Sequence, residues 1–369
     1  MAGVVVVHDG MASQRHDSHD SLTRSALARE LAALKGFVYA GEYDAGFHYP
    51  APVYHVPKDT VIRLDTASAL GIRDENDLFG GVVPYPFVAT KTICHPLFDR
   101  DAQAPTGWSH GFPEAVADQV LAGHAAFSIA DAVKAGTRLL ARGPVRVKRA
   151  LGIGGRGQTM VSDADALADA LARIDSAELE IYGVTLEENL AEVVTYSVGR
   201  VCVAGLTASY YGRQRQTRNN AGHDVYGGSD LVVVRGDFDA LLELPASGGL
   251  RRAVDQARRF HATAIEHYPG MILSRCNYDI AEGRDAAGAH RCGVLEQSWR
   301  IGGASGPEIG ALAAFRREAS TRAVRASCVE RYGEFAPTPL GATIHFRGVD
   351  PHVGPLTKYT TVEPYVDAG

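Results

Sequence analysis

The 369-residue sequence contains no C-x-x-C pair, and its five cysteines (Cys94, Cys202, Cys276, Cys292, Cys328) are odd in number and widely spaced. That spacing argues against both a disulfide framework and a cysteine-ligated structural zinc site. A basic excess is also missing. The 37 Lys and Arg against 43 Asp and Glu leave a net charge of −6. A non-specific nucleic-acid grip, which needs a basic surface to displace counterions, is therefore not expected. Long apolar runs are lacking too. The opening "MAGVVVVHDG" is broken by His8 and Asp9, too soon for a signal peptide, and no positive charge precedes it. No stretch approaches the roughly 20 apolar residues of a membrane span. The expectation is a cytoplasmic protein with neither nucleic-acid nor membrane partners. No internal repeat or low-complexity tract occurs.

What is present is an ordinary globular composition, 46% hydrophobic and 22% charged, long enough for two or three subdomains. "GVVVV" (3–7) reads as a buried strand, "SLTRSALARELAALKG" (21–36) as a helix closed by Gly36, and "FVYA" and "VIRL" as further strands. This strand–helix–strand opening predicts a small α/β domain over residues 1–110. The Pro- and Gly-rich text of 80–113 marks its end. Helix-like sequence follows over 114–142, with a break near Gly123. Then come a Gly-rich stretch and a periodic helix, "DADALADALARI", capped by Asp163. Strand-like text covers 178–190 and 192–212. A helix over 251–267, two strands ("MILSRCNYDIAEG", "CGVLEQSW") and a long helix over 307–333 complete the pattern.

The stretch "VRVKRALGIGGRGQTMV" (145–161) carries the chemistry. Gly152, Gly154 and Gly157 spell G-x-G-x-x-G, but strand-like "QTMV" follows where a dinucleotide fold needs a helix. A P-loop is excluded because Lys148 precedes the glycines instead of following them. What remains is a strand, a glycine flap and a returning strand, whose backbone N–H groups can close over phosphate oxygens. Lys148 would add a point charge. Further on, Asp279 lies in one strand, and Glu296, Ser298 and Arg300 alternate along the next, so the three share one face. Two carboxylates so placed suit magnesium, and a fixed arginine suits phosphoryl charge. "YYGRQRQTRNNAGHDVYGG" reads as a basic loop whose Arg213, Arg215 and Arg218 could clamp a carboxylate. The N-terminal histidines His8, His16 and His19 match no metal-ligand spacing and read as a polar loop.

Taken in order, the Lys148 strand, the glycine flap, "IYGVTLEENL", Asp279 and "LEQSWRIGGASG" resemble the ATP-grasp superfamily, in an uncharacterised bacterial branch. The resemblance implies an α/β ATP-grasp fold in four parts. These are an N-terminal domain (1–110), a small subdomain with the flap (111–185), a large subdomain with the metal site (186–333) and an extension (334–369). It implies ATP held by Lys91, Lys148, Gly152, Gly154, Gly155 and Gly157, with adenine at a hinge of Glu187, Glu188 and Leu190 and ribose at Glu192. It implies Mg²⁺ on Asp279, Glu296 and Ser298, catalysis by Arg300 and Lys148, and substrate contacts at Gly302 and Gly303, with Arg213, Arg215 or Arg218 as the candidate carboxylate clamp beside them.

The family pattern has Asn where Ser298 stands, and Thr195 stands where many members carry an acid. The implied activity is an ATP-grasp ligase, most often forming carbon–nitrogen bonds, that activates a small-molecule carboxylate as an acyl phosphate for attack by an amine or similar nucleophile. A non-catalytic ATP-binding or regulatory protein on the same fold is the alternative. A nicotinamide-dependent oxidoreductase using the G-x-G-x-x-G text is a remote one. The oligomeric state is open, a homodimer being the assembly considered.

Overall fold

A computed structural model describes residues 3–8, 18–152, 157–335 and 337–366. The N-terminal unit is a parallel sheet, ordered β2–β1–β3, of β1 (Val4–His8), β2 (Val38–Glu42) and β3 (Val53–Pro57). Helix α1 (His19–Lys35) packs on it. Ser18 caps its start and Gly36, with φ +67°, closes its end as expected. His8 thus ends a strand and His19 begins a helix, while His16 lies outside the described residues. Beyond β3 the chain forms β4 (Val61–Ile62), α2 (Leu64–Ala69) and β5 (Gly81–Val83). The "VIRL" strand is therefore shorter than expected, because Leu64 starts a helical turn. Strand β3 was missed.

A four-stranded antiparallel sheet follows, ordered β6–β9–β7–β8: β6 (Gly123–Ala126), β7 (Val145–Arg149), β8 (Gln158–Val161) and β9 (Val184–Glu188). Three corrections arise here. The helix expected over 114–142 is a short helix α3 (Gly111–Ala115), then β6, then α4 (Ile129–Leu140). Pairing with β9, not its own propensity, makes "GHAA" a strand. Helix α5 (Ala164–Ala172) is capped by Asp163 as expected. Residues 178–182, read as strand, lie in helix α6 (Ser176–Tyr182). The Asp175 cap and the positive φ of Gly183 set its ends.

The largest sheet has eight antiparallel strands, ordered β15–β14–β10–β11–β12–β16–β18–β17. They are β10 (Ala191–Val203), β11 (Leu206–Arg218), β12 (Asp224–Arg235), β14 (Arg275–Arg284), β15 (His290–Ser298), β16 (Ala323–Tyr332), β17 (Thr343–Asp350) and β18 (Gly354–Pro364); a short β13 (Ile272–Leu273) pairs with β5. The arginine-rich text of 210–228 is the β11–β12 hairpin and not a loop. The helix expected over 307–333 ends at Arg317 as α9 (Ser305–Arg317), and the rest is β16. There Val324, Ala326 and Cys328 alternate inward with period two, a pattern that overrides the helical tendency of the alanines and arginines. Residues 334–369 supply β17 and β18, so the boundary drawn at 333 falls inside one sheet.

Each face of this sheet has its own core. Tyr196, Tyr278, Ile280 and Val294 pack with Phe260 of α8 (Gly248–His267), alongside a short α7 (Phe238–Leu242). On the other face Val201, Tyr210 and Leu231 pack with Leu31 of α1 and Leu312 of α9. No helix among the described residues is long and apolar enough to cross a membrane.

Candidate active site

Strand alternation puts Asn277 and Asp279 on the α9 face of the large sheet, opposite the core residue Tyr278. Register then aligns Asp279 with Glu296 and Asn277 with Ser298 on the neighbouring strand. Three donors converge on one Asp279 oxygen, Oδ1: Ser197 Oγ (3.2 Å), Gln214 Nε2 (2.9 Å) and Asn277 Nδ2 (2.9 Å). They orient the carboxylate and leave Oδ2 with no hydrogen bond among the described residues. Burial, and next the Glu296 charge, push the Asp279 carboxyl up to about 6 despite those donors. Two neighbouring carboxylates, one with an oxygen left open, are an all-oxygen donor set of the kind Mg²⁺ takes. Ser298 Oγ lies 3.5 Å from Arg275 Nη1 on the same face.

Behind the carboxylates lies a closed polar network. Arg275, 2% exposed, is paired with the fully buried Glu308 of α9 (2.9 Å). Tyr210 donates to Glu308 Oε1 (2.6 Å), with Asn277 Oδ1 2.9 Å away. Arg275 Nη1 also donates to the carbonyls of Ser298 (3.2 Å) and Arg300 (2.6 Å), pinning the backbone that presents Arg300. The Arg300 guanidinium makes one hydrogen bond among the described residues, from Nη1 to the Ile301 carbonyl (3.0 Å). Burial holds its pKa below the ordinary arginine value although Asp59, Glu296 and Asp20 oppose the shift. It is a cation with unused donors facing acidic neighbours, suited to a transferred anion.

The two candidate phosphate lysines come from different elements. Lys148, on β7, is 2% exposed and pairs with Glu187 Oε1 of β9 (2.6 Å). His95 holds the other oxygen of Glu187 (3.1 Å). Burial alone would raise the Glu187 carboxyl, but the Lys148 ammonium and His95 more than reverse this and hold it low. Lys91, 4% exposed, opens a single-turn 3-10 helix (Lys91–Cys94) capped by Thr90. Gln297 of β15 anchors that turn by donating to the carbonyls of Val88 (3.1 Å) and Thr90 (2.5 Å). The result sets Lys91 Nζ 2.5 Å from Glu296 Oε2 and 2.9 Å from the Gly152 carbonyl it donates to.

Other expected positions are placed less centrally. Gly157 takes φ +77° and its carbonyl accepts from Arg149 N (2.9 Å), while Gly154 and Gly155 lie outside the described residues. Glu188 accepts from Ala122 N (3.0 Å), and Leu190 packs with Leu121 and Ala281. Glu192 sits at the rim with φ +53° and pairs with Arg284 (3.4 Å). Gly303 faces Tyr226, where an added Cβ would lie 2.5 Å from the hydroxyl, and Gly302 N donates to Ser305 Oγ (3.0 Å).

The three arginines are a correction. Gln214 reaches Asp279, so Arg213 and Arg215 leave the opposite face of β11. Arg213 lies over the Tyr196 ring (5.7 Å), Arg215 pairs with Asp230 (3.0 Å), and Arg218 pairs with Asp224 at the hairpin end (3.7 Å). None is brought to the Asp279–Glu296 pair. Sequence reasoning missed Gln214, Ser197, Asn277, His95 and the Arg275–Glu308 pair. Only Asn277, two residues before Asp279, carried an alternation signal.

A family model described as "Protein of unknown function (DUF3182)" matches residues 5–360. The chain belongs to that family. Its fold is also that of the ATP-grasp superfamily, matched over nearly the whole chain. Biotin carboxylase from Campylobacter jejuni is similar at a TM-score of 0.53 and 10% identity, covering 99% of this chain and 88% of that one. Phosphoribosylamine–glycine ligase from Thermotoga maritima gives 0.52 and 14%, covering 97% and 91%. N5-carboxyaminoimidazole synthetase from Staphylococcus aureus gives 0.51 and 11%, covering 99% and 94%. At such identities the likeness speaks for the fold. No curated protein matches the chain.

Proposed function

We propose that the protein is an ATP- and Mg²⁺-dependent ligase that activates a small-molecule carboxylate as an acyl phosphate for attack by an amine or similar nucleophile. The observation that carries this is the Asp279–Glu296 pair, aligned across two strands, with Lys91 on Glu296 and Lys148 on the neighbouring small sheet. Its structural neighbours include a biotin carboxylase solved as a complex with β,γ-ATP. Magnesium held by Asp279 and Glu296 would neutralise phosphate charge as the phosphoryl group moves.

The chain's own residues supply positioning and charge. Lys148 and Lys91 bind nucleotide phosphates once they leave their carboxylate partners. Arg300, its backbone fixed by Arg275, stabilises charge on the transferred group. A substrate carboxylate oxygen attacks the γ-phosphorus and the bond to ADP breaks. The nucleophile then attacks the acyl carbon, and phosphate leaves. The glycine stretch after β7 would cover the intermediate and keep water out.

The test is calorimetric titration with a non-hydrolysable ATP analogue and Mg²⁺, beside NADH and a folded Lys148→Ala variant. Binding in the micromolar range, weakened by the substitution, supports the reading and opens a search among carboxylates by phosphate release. No analogue binding by folded protein would sink it. Analogue binding without turnover across that search would favour a non-catalytic ATP-binding protein.

A further inference from the structure

One ammonium holds two parts of the proposed site together. Lys91 Nζ contacts Glu296, a carboxylate proposed for the cation, and the carbonyl of Gly152, the first glycine of the flap stretch. Its side chain is 4% exposed, whereas that of Glu296 is 30% exposed. The lysine is placed rather than loosely collapsed, since Gln297 fixes its helical turn to the very strand that carries Glu296. A divalent ion on the same carboxylate would stand within a few ångströms of this ammonium, and like charges at that range repel strongly in a partly buried site. Lys91 and a metal ion therefore compete for Glu296. Nucleotide phosphates offer the lysine a stronger partner of opposite charge.

Resting on the ligase reading above, we propose that Lys91 is an internal counter-ion that makes metal entry depend on nucleotide. In the nucleotide-free protein Lys91 neutralises Glu296 and tethers Gly152. Phosphates draw it away, which bares the Asp279–Glu296 pair to the cation and ends the contact with Gly152 in one event. Nucleotide, or nucleotide already carrying metal, binds first, and the metal alone binds poorly. By linkage the same lysine sets how far each ligand helps the other. This makes Lys91 a residue that couples two ligands as well as one that touches phosphate.

Mn²⁺ serves as the probe, its free concentration read by electron paramagnetic resonance, with the full chain, with and without a non-hydrolysable ATP analogue. Wild type should bind Mn²⁺ alone weakly, and Lys91→Met should bind it at least about ten-fold more tightly, a gain that a merely structural loss would not give. Lys91→Arg keeps the cation and should stay like wild type. Glu296→Gln should remove the gain when added to Lys91→Met. Equal Mn²⁺ affinity in wild type and Lys91→Met would overturn the proposal, and so would no Mn²⁺ binding by either folded protein. Failure of the analogue to bind would instead overturn the ligase reading, while the metal-only comparison still decides the role of Lys91.

Discussion

Two ion pairs on one face of the large sheet, Arg275–Glu308 and Lys91–Glu296, place the same kinds of charge under different constraints. Arg275 spends its donors on a fully buried carboxylate and on two backbone carbonyls, so no partner is left for solvent or ligand to compete for. Lys91 meets a carboxylate that is partly exposed, and its other contact is a carbonyl at the root of a glycine stretch. An arginine fork fits the locked pair, whereas a lysine on a flexible stem fits the one that must open. The network behind the site is thus rigid where the site's own charges are exchangeable.

The comparison breaks most easily at its rigid end. Glu308→Gln leaves a buried guanidinium without its counter-charge and should cost about 3–5 kcal/mol in urea denaturation. Lys91→Met leaves a partly exposed carboxylate that water can reach and should cost less than about 1 kcal/mol. Equal losses would erase the distinction. Lys148→Met comes next, since Glu187 is 1% exposed and would keep only His95; about 3 kcal/mol is expected at pH 7.

That loss has a pH signature. Glu187 titrates below its ordinary value of 4.5, so its stabilisation is present above that value and is lost as pH falls through the lower folded one. The gap between wild type and Lys148→Met should therefore narrow below about pH 4.5. A gap that stays constant down to acid pH would mean that the lysine stabilises through packing alone.

Glu296→Gln should weaken binding of the Mg²⁺–analogue complex about ten-fold or more, measured by calorimetry. Arg213→Ala is the smallest change. Its guanidinium lies over Tyr196 on the far face, so nucleotide affinity should move less than about two-fold and stability by about 0.5 kcal/mol. A large loss of affinity there would return Arg213 to the site.

Most of the site's charged residues were legible because strand alternation is a local rule. Glu296 and Ser298 at spacing two state their shared face in the text, and Lys148 stands before the glycines, whereas Arg300 lies past the end of β15, where alternation no longer applies. What could not be read is what depends on register between distant strands. Gln214 reaches Asp279 across 65 residues, and His95 reaches Glu187 across 92, with no spacing signal to announce either. The arginines of β11 show the same limit. Their chemistry suits a carboxylate, but the turn of one residue that gives Gln214 to the site takes Arg213 and Arg215 from it. At the fold level the misread elements were those whose partners lie elsewhere: β6 is a strand because β9 is beside it, and β16 because β12 and β18 flank it.

The hairpin β17–β18 has a consequence for how the chain is made. Asp350 accepts from the backbone N of His19, and Lys358 pairs with Asp20, so the first turn of α1 is held by residues 331 and 338 positions later. At a synthesis rate of about 5–20 residues per second, those partners emerge roughly 20–60 s after the helix itself. Until then α1 can lie on its own three-stranded sheet with its start untied. This unit is begun well before it is fastened, when β17 and β18 leave the ribosome.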